Sequence, residues 1–428
     1  DFNYLRESSF FKSVTVASVD QILTQGFNVG WWELKTFHLY RAKVIIDEIH
    51  TYAPYTLGLI ISTIQYLREN FQTEFFIMTA TMPKQLQNLL VEALGGQENA
   101  TIIPDRELLE EKGRNLFSVR EKSCTVDSLK LEIENHLKQG KKVLLVVNTV
   151  DEAIRLYDAY KGFDRMCYHS RYIVKHRNEK EKLIEIFESE KEGEGFLLIA
   201  TQVVEVSLDI DYDYLYTENA PIDAIIQRAG RVNRKRNSEK KTEVIVFWHR
   251  PVCQKIYEDK NSEFSVLEKT YHCLENIIEF NPRLSEQNLI ELVEEVYQDQ
   301  KIEEHPSYIE GLGAHEAILR KSCLYVKDYD DEKHILTREG LDSVSIIPYQ
   351  FYELLKGTKP KEKIKYEVSI NRRVYEAVKK NCKNNRNGLF IDKDGFEFID
   401  VPYSFKKGLY FEPKDITKQN LDPLTVNL

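Results

Sequence analysis

Two carboxylates stand side by side at the end of an apolar run, in Lys43-Val44-Ile45-Ile46-Asp47-Glu48-Ile49-His50. Phosphoryl transfer from a nucleotide needs one carboxylate on a magnesium ion and a polar group that orients the attacking water. Asp47 suits the first task and Glu48 the second. A further segment is Gln227-Arg228-Ala229-Gly230-Arg231-Val232-Asn233-Arg234. Arg231 and Arg234 are three residues apart, which predicts one helical turn and a shared side. Two guanidiniums so placed clamp a triphosphate and stabilise charge developing on its γ-phosphoryl. A solvated basic face is the plainer explanation, because residues 227–242 hold seven basic groups and one acid. Gln227 and Gly230 at these offsets weigh against it.

Three other segments carry polar groups in chemically useful places. Thr79-Ala80-Thr81-Met82-Pro83 follows an apolar run. Its hydroxyls either reach the acidic pair and a moving partner domain or cap a helix that begins near Pro83. The stretch from Ala200 to Asp211 runs from a strand through Thr201 and Gln202 to Glu205, Asp209 and Asp211. These acids could hold a ribose hydroxyl or bind the arginines of the next segment, with Thr201 and Gln202 sensing nucleic acid; alone, Asp209 and Asp211 read as loop acids. His169-Ser170-Arg171-Tyr172, followed by Arg177, is a basic cluster of the kind that meets a phosphate backbone.

The elements that must position these residues alternate short β-rich runs with longer helical patterns, the signature of a parallel sheet flanked by helices. Expected strands are Lys43–Ile46, Phe75–Met78, Lys142–Val147, Phe196–Ala200, Tyr214–Thr217 and Val244–Trp248. Four of them end in polar clusters, Asp47-Glu48, Thr79-Ala80-Thr81, Asn148-Thr149 and Thr201-Gln202. Ligands of open α/β sheets bind beyond the carboxyl ends of the strands, so a shared cleft is expected there. A break from Gly95-Gly96 to Arg114, then a helical segment Ser128–Leu137, separates two α/β units. The expected fold class is α/β: a partial lobe over 1–112, a complete lobe over 113–250, and a mixed accessory carboxyl-terminal region over 251–428.

With 428 residues at roughly 150 per domain, the chain is multidomain, and 42% hydrophobic residues suffice for real cores. The net charge of −10 excludes a protein that coats nucleic acid or anionic membrane with its whole surface. The total hides segregation: residues 285–310 carry eight acids and one lysine, and residues 356–386 carry eleven basic groups and three Glu. Each run reads most simply as a solvated face or a linker. No stretch approaches the about 18 consecutive apolar residues of a membrane span. Six scattered cysteines indicate neither a disulfide framework nor a zinc site and fit a reducing cytoplasm.

In order, Val16–Gln21, Asp47–His50, Thr79–Thr81, His169–Tyr172, Thr201–Asp211 and Gln227–Arg234 resemble the successive motifs of superfamily 2 helicases, and more narrowly those of the CRISPR-associated helicase Cas3 family. The resemblance implies tandem RecA-like lobes with parallel sheets and, as cofactors, ATP and Mg²⁺. It implies that Asp47 coordinates the metal, Glu48 positions the hydrolytic water, and His50, Thr79 and Thr81 link the ATP site to strand separation. Arg231 and Arg234 would reach the phosphates with help from Gln227, and Asp209 would touch the nucleotide. Thr149, His169, Arg171, Thr201 and Gln202 would line a single-strand path, with Asp20 and Gln21 nearby. Family members move 3′ to 5′ along single-stranded DNA after recruitment by a Cascade-type surveillance complex.

The sequence departs from the family pattern twice. No GxxxxGK[ST] phosphate loop occurs, since the only Gly-Lys pair, Gly140-Lys141, lacks both the leading glycine and the hydroxyl. Only 46 residues precede Asp47 and the chain starts at Asp1 rather than Met, so the loop is expected upstream, and the partial lobe is expected to expose apolar surface. No His-Asp dipeptide occurs either, so the HD nuclease of this family is expected on a separate or longer chain. Two rival readings remain: a DExH RNA helicase, and a non-catalytic nucleic-acid-binding module without a phosphate loop.

Overall fold

The computed structural model describes residues 10–27, 31–79, 82–103, 109, 111, 113–190, 193–205, 208–237, 242–258, 264–319, 343–382 and 389–411. The chain divides into two compact units. The first comprises the described residues up to 103, joined by those from 297 to 319; the second comprises the rest. The segment read as one accessory region is therefore shared between both units.

In the first unit, β1 (Lys43–Asp47) pairs in parallel with β2 (Glu74–Met78), with Asp47 opposite Met78. The helix Pro54–Phe71 joins them. Proline opens it, where a missing N–H costs nothing, and Gln72 closes it in a left-handed conformation at φ 54°. Leu57, Ile60, Ile61, Ile64 and Leu67 recur at helical spacing and are all buried, packing on Ile49, Leu86, Leu89 and Leu90. Burial of each stabilises the unit by roughly 1.5–3 kcal/mol. The helix Pro306–Leu319 crosses Pro54–Phe71 so closely that only glycine fits at the contact. A Cβ on Gly58 would lie 2.4 Å from Tyr308 O, and one on Gly311 would lie 2.1 Å from Tyr55 O. Ile45 is 65% exposed and Phe76 52%, so the expected apolar exposure occurs on this sheet.

The second unit holds a six-stranded, all-parallel sheet. Its strands are β3 (Leu116–Val119), β4 (Lys142–Val146), β5 (Arg165–Tyr168), β6 (Phe196–Ala200), β7 (Tyr214–Glu218) and β8 (Glu243–Phe247), in the order β3-β8-β7-β4-β6-β5. Val143 to Val146 and Leu197 to Ala200 are completely inaccessible, as expected of strands covered on both faces. The chain runs outward from β4 to β5, returns through β6, and then crosses to β7 on the other side of β4. The switch point, where crevices open at the carboxyl ends, therefore falls at β4.

A mixed four-stranded sheet follows, ordered β10-β9-β12-β11, from β9 (Ser343–Pro348), β10 (Val368–Asn371), β11 (Leu389–Ile391) and β12 (Glu397–Ile399). Strand β9 pairs antiparallel with β10 and parallel with β12. A small antiparallel pair, β13 (Tyr403–Ser404) and β14 (Gly408–Leu409), completes the unit. Tyr172 and Ile173 from the parallel-sheet region share one core with Ile346, Ile347, Phe398 and Ile399. The mixed sheet is thus seated on the segment just after β5.

Candidate nucleotide and nucleic-acid sites

In the first unit, β1 delivers Asp47 to its carboxyl end with the carboxylate exposed. Asp47 Oδ1 accepts the Glu48 amide at 3.0 Å. The chain then turns sharply, because Glu48 sits in the left-handed region at φ 52°. That turn brings Glu48 Oε2 to 3.4 Å from His50 Nδ1. The same nitrogen lies 2.5 Å from Thr79 Oγ1, beyond the end of β2. His50 Nδ1 thus shares a hydrogen bond with Thr79 and lies beside the Glu48 carboxylate across the two strand ends, with the His50 side chain only 4% exposed. Thr81 lies outside the described residues. Asp20 and Gln21 open the helix Asp20–Gly26, and Gln21 Oε1 accepts from Lys35 Nζ at 3.0 Å. Burial holds the Lys35 ammonium below its ordinary pKa.

In the second unit, polar groups gather at the carboxyl ends of β4, β6, β7 and β8. Arg228 is at their centre and fully inaccessible. Its Nε donates to Glu205 Oε1 at 2.8 Å, Nη1 to Thr217 Oγ1 and Glu218 O at 2.9 and 3.1 Å, and Nη2 to Asn148 Oδ1 and Tyr257 OH at 3.0 and 3.3 Å. All five guanidinium N–H groups are engaged. Burial pushes the Glu205 pKa up, opposed by the charge of Arg228. Glu218, also fully buried, goes the other way: burial alone would raise its pKa, but hydrogen bonds and charge from Arg250 outweigh that and hold it low.

Arg231 and Arg234 do not extend a helix, contrary to the spacing argument. The helix ends at Ala229, Val232 forms a parallel bridge with Tyr212, and Asn233 takes φ 47°. The two arginines converge for another reason, since both donate to Leu208 O, at 2.6 and 3.5 Å. Arg231 also donates to Glu205 O. Arg234 Nε pairs with Asp209 Oδ1 at 3.0 Å, and its amide donates to Asp211 Oδ1 at 2.9 Å. The acids of the preceding segment therefore bind these arginines, one of the roles considered for them. Gln227 is half-buried on the last turn of the same helix.

The strand-path candidates are placed less openly than the motif order suggests. Thr149 is 3% exposed, caps the helix Val150–Ala159 and accepts from Arg250 Nη2 at 2.9 Å. Thr201 is buried at the end of β6, whereas Gln202 is half-buried and donates to Asn148 O and Tyr257 OH at 3.1 and 2.8 Å. His169 is inaccessible, with Nε2 3.0 Å from Lys407 O, and Arg171 pairs with Asp151 at 2.8 Å. The β13–β14 hairpin covers both. Leu409 N donates to Arg171 O at 2.8 Å, and a Cβ on Gly408 would lie 2.5 Å from that oxygen. In this structure neither His169 nor Arg171 opens its side chain to solvent. Arg228 was missed as a site residue, although its place three residues after buried Ile225 marks the inward face of the helix. Glu218, Arg250 and Tyr257 carry no motif and are found only in space.

The parallel α/β sheets, the acidic pair at the end of β1 and the Gln227–Arg234 segment resemble those of superfamily 2 helicases. Residues 139–237 match the family described as CRISPR-associated nuclease/helicase Cas3, C-terminal. The CRISPR-associated nuclease/helicase Cas3 of Methanothermobacter thermautotrophicus is 29% identical over 298 residues, covering 66% of this chain and 34% of that protein. The CRISPR-associated endonuclease/helicase Cas3 of Escherichia coli K12 is 25% identical over 451 residues, covering 91% of this chain and 50% of that protein. The crystal structure of T. fusca Cas3 with ATP superposes with a TM-score of 0.70 at 18% identity, over 93% of this chain and 57% of that one. The chain spans about half or less of the length of the curated relatives it matches. In sequence over these stretches, and in fold, the chain is similar to the Cas3 helicases.

Proposed function

We propose that this chain belongs to an ATP-driven helicase and translocase that moves 3′ to 5′ on single-stranded DNA and unwinds target DNA for degradation in CRISPR interference. The observation that carries the reading is the Glu48–His50–Thr79 cluster at the ends of β1 and β2. Glu48 orients the attacking water, and His50 passes a change at that carboxylate to Thr79. Arg231 and Arg234, held together by Leu208 O, supply positive charge to the phosphates, with Gln227 beside them and Asp209 exchanging its partner Arg234 for the nucleotide.

The donor set suits magnesium. Magnesium is usually held by one or two carboxylates together with substrate phosphates. Asp47, an exposed carboxylate at a strand end, would hold it. An ion held there would supply positive charge to the phosphates of a bound nucleotide.

A structural neighbour is an RNA-guided CRISPR surveillance complex captured before nicking, with a TM-score of 0.66 at 20% identity. That likeness is one of fold; recruitment by a Cascade-type complex in the cytoplasm, with an HD nuclease fused or separate, belongs to the same proposal. The test is Glu48→Gln in the complete protein. It is expected to lower ATP turnover by about 100-fold or more while leaving ATP binding intact. Substantial remaining turnover would overturn the assignment of Glu48.

A further inference from the structure

The hydroxyl of Tyr257, on the helix Pro251–Tyr257 after β8, meets three groups from three different elements. It accepts from Gln202 Nε2 at 2.8 Å and from Arg228 Nη2 at 3.3 Å, and it donates to Asn148 Oδ1 at 3.1 Å. A phenol has one proton and two lone pairs, so this hydroxyl is used to capacity. Burial raises its pKa further above the neutral range, which keeps the proton in place for Asn148. Asn148 is equally committed. Its amide N donates to Glu218 Oε2 at 2.8 Å, its carbonyl accepts from Gln202 Nε2 at 3.1 Å, and its Nδ2 donates to Asn219 O at 2.9 Å.

A continuous hydrogen-bonded route runs through this point. It starts at the half-buried Gln202, at the end of β6, and passes through Tyr257 OH to Arg228. From Arg228 it reaches the Glu205 carboxylate, and the carbonyl of that same residue accepts from Arg231. One end of the route is therefore a strand-path candidate, and the other is Arg231, proposed above to supply charge to the phosphates.

We propose that Tyr257 is a positioning residue that makes Gln202 and the Arg228–Arg231 stretch respond as one unit, so that engagement of nucleic acid at Gln202 sets the arginines for phosphate chemistry. The proposal rests on the helicase reading above. Tyr257 touches neither nucleotide nor strand in this scheme, and its loss leaves the nucleotide-facing groups in place. Arg228 keeps its four other bonds, to Glu205, Thr217, Glu218 O and Asn148. The basal chemistry is accordingly retained and the stimulation is lost.

The experiment measures ATP hydrolysis by the complete protein against single-stranded DNA concentration, for wild type, Tyr257→Phe, Gln202→Ala and the double variant. Tyr257→Phe is expected to keep basal turnover and to reduce the DNA-stimulated to basal ratio about three- to tenfold, since it removes the hydroxyl that ties Gln202 to Arg228. The double variant is expected to lose no more stimulation than Gln202→Ala alone, because both changes cut one route. Unchanged stimulation in Tyr257→Phe, or additive losses, would overturn the positioning role while leaving the helicase reading standing. A wild type whose hydrolysis no nucleic acid stimulates would overturn both. A fall in basal turnover and melting temperature without a change in ratio would mark Tyr257 as structural and overturn the proposal.

Discussion

Glu48 takes φ 52°, a conformation that costs an L-residue roughly 1–2 kcal/mol and persists where its surroundings enforce it. Its amide donates to Met78 O at 2.9 Å and Thr51 Oγ1 donates to its carbonyl at 2.8 Å, so the turn is held from both sides. The side chain is thereby delivered to His50. His50→Ala in the complete protein is expected to retain ATP hydrolysis within a few-fold while strand separation per ATP falls about tenfold. A parallel measurement of both rates checks this, and equal losses in the two would contradict it. The residues of this cluster were legible because they sit in two short segments at the ends of apolar runs. The arginine segment was legible in composition but not in geometry. Spacing of three suggests a helix, whereas the actual convergence depends on a bridge between Val232 and Tyr212, twenty residues apart in sequence. Arg228 looked interchangeable with its basic neighbours, because sequence does not show which of several arginines has Glu205, Asn148 and Tyr257 waiting for it.

At the scale of elements, the buried parallel strands were readable to within a residue or two, since strands covered on both faces are apolar throughout. Strands β3 and β5, four residues long each, were not, and the mixed sheet β9–β12 was hidden by half-exposed strands of three to six residues. The helix crossing of the first unit was equally invisible, as nothing local says that Gly58 and Gly311 face opposing backbone. It gives a sharp contrast between two glycines of one helix. Gly311→Ala must push a methyl into Tyr55 O and is expected to destabilise the first unit by about 1–3 kcal/mol. Gly313→Ala meets nothing within 4 Å and is expected to be neutral or to stabilise by up to about 1 kcal/mol. Thermal melts of the two variants check the pair, and equal shifts would contradict the close crossing.

For the whole molecule, the charge pattern changes meaning once the partners are known. Among the described residues of the basic run at 227–242, Arg228 is buried, Arg236 pairs with Glu111 and Glu286, and Arg234 pairs with Asp209. In the basic island of 356–386, Lys363 is held between Asp392 and Asp394 at 2.5 Å each. Four histidines bear on the pH response. Burial, with Arg171 and Lys180 nearby, holds His169 well below its ordinary value of 6.5, and burial lowers His136, His176 and His249 in the same direction. A depressed folded pKa gives stability that is complete above the unfolded value and is lost as pH falls below it. For His169 the loss is about 1.4 kcal/mol per pH unit below 6.5 until its folded pKa is reached. Protection of the Leu409 amide, bonded to Arg171 O, is expected to fall between about pH 7 and pH 5.5, and less so in His169→Gln. Protection that stays level across that range would contradict the buried neutral imidazole.

The central claim, that ATP hydrolysis here is driven by and coupled to single-stranded DNA, is tested most directly by the ATPase rate of the complete protein with single-stranded DNA, with RNA and with neither. The account predicts strong stimulation by DNA that disappears in Glu48→Gln. Stimulation by RNA alone, or a rate indifferent to nucleic acid, would contradict it.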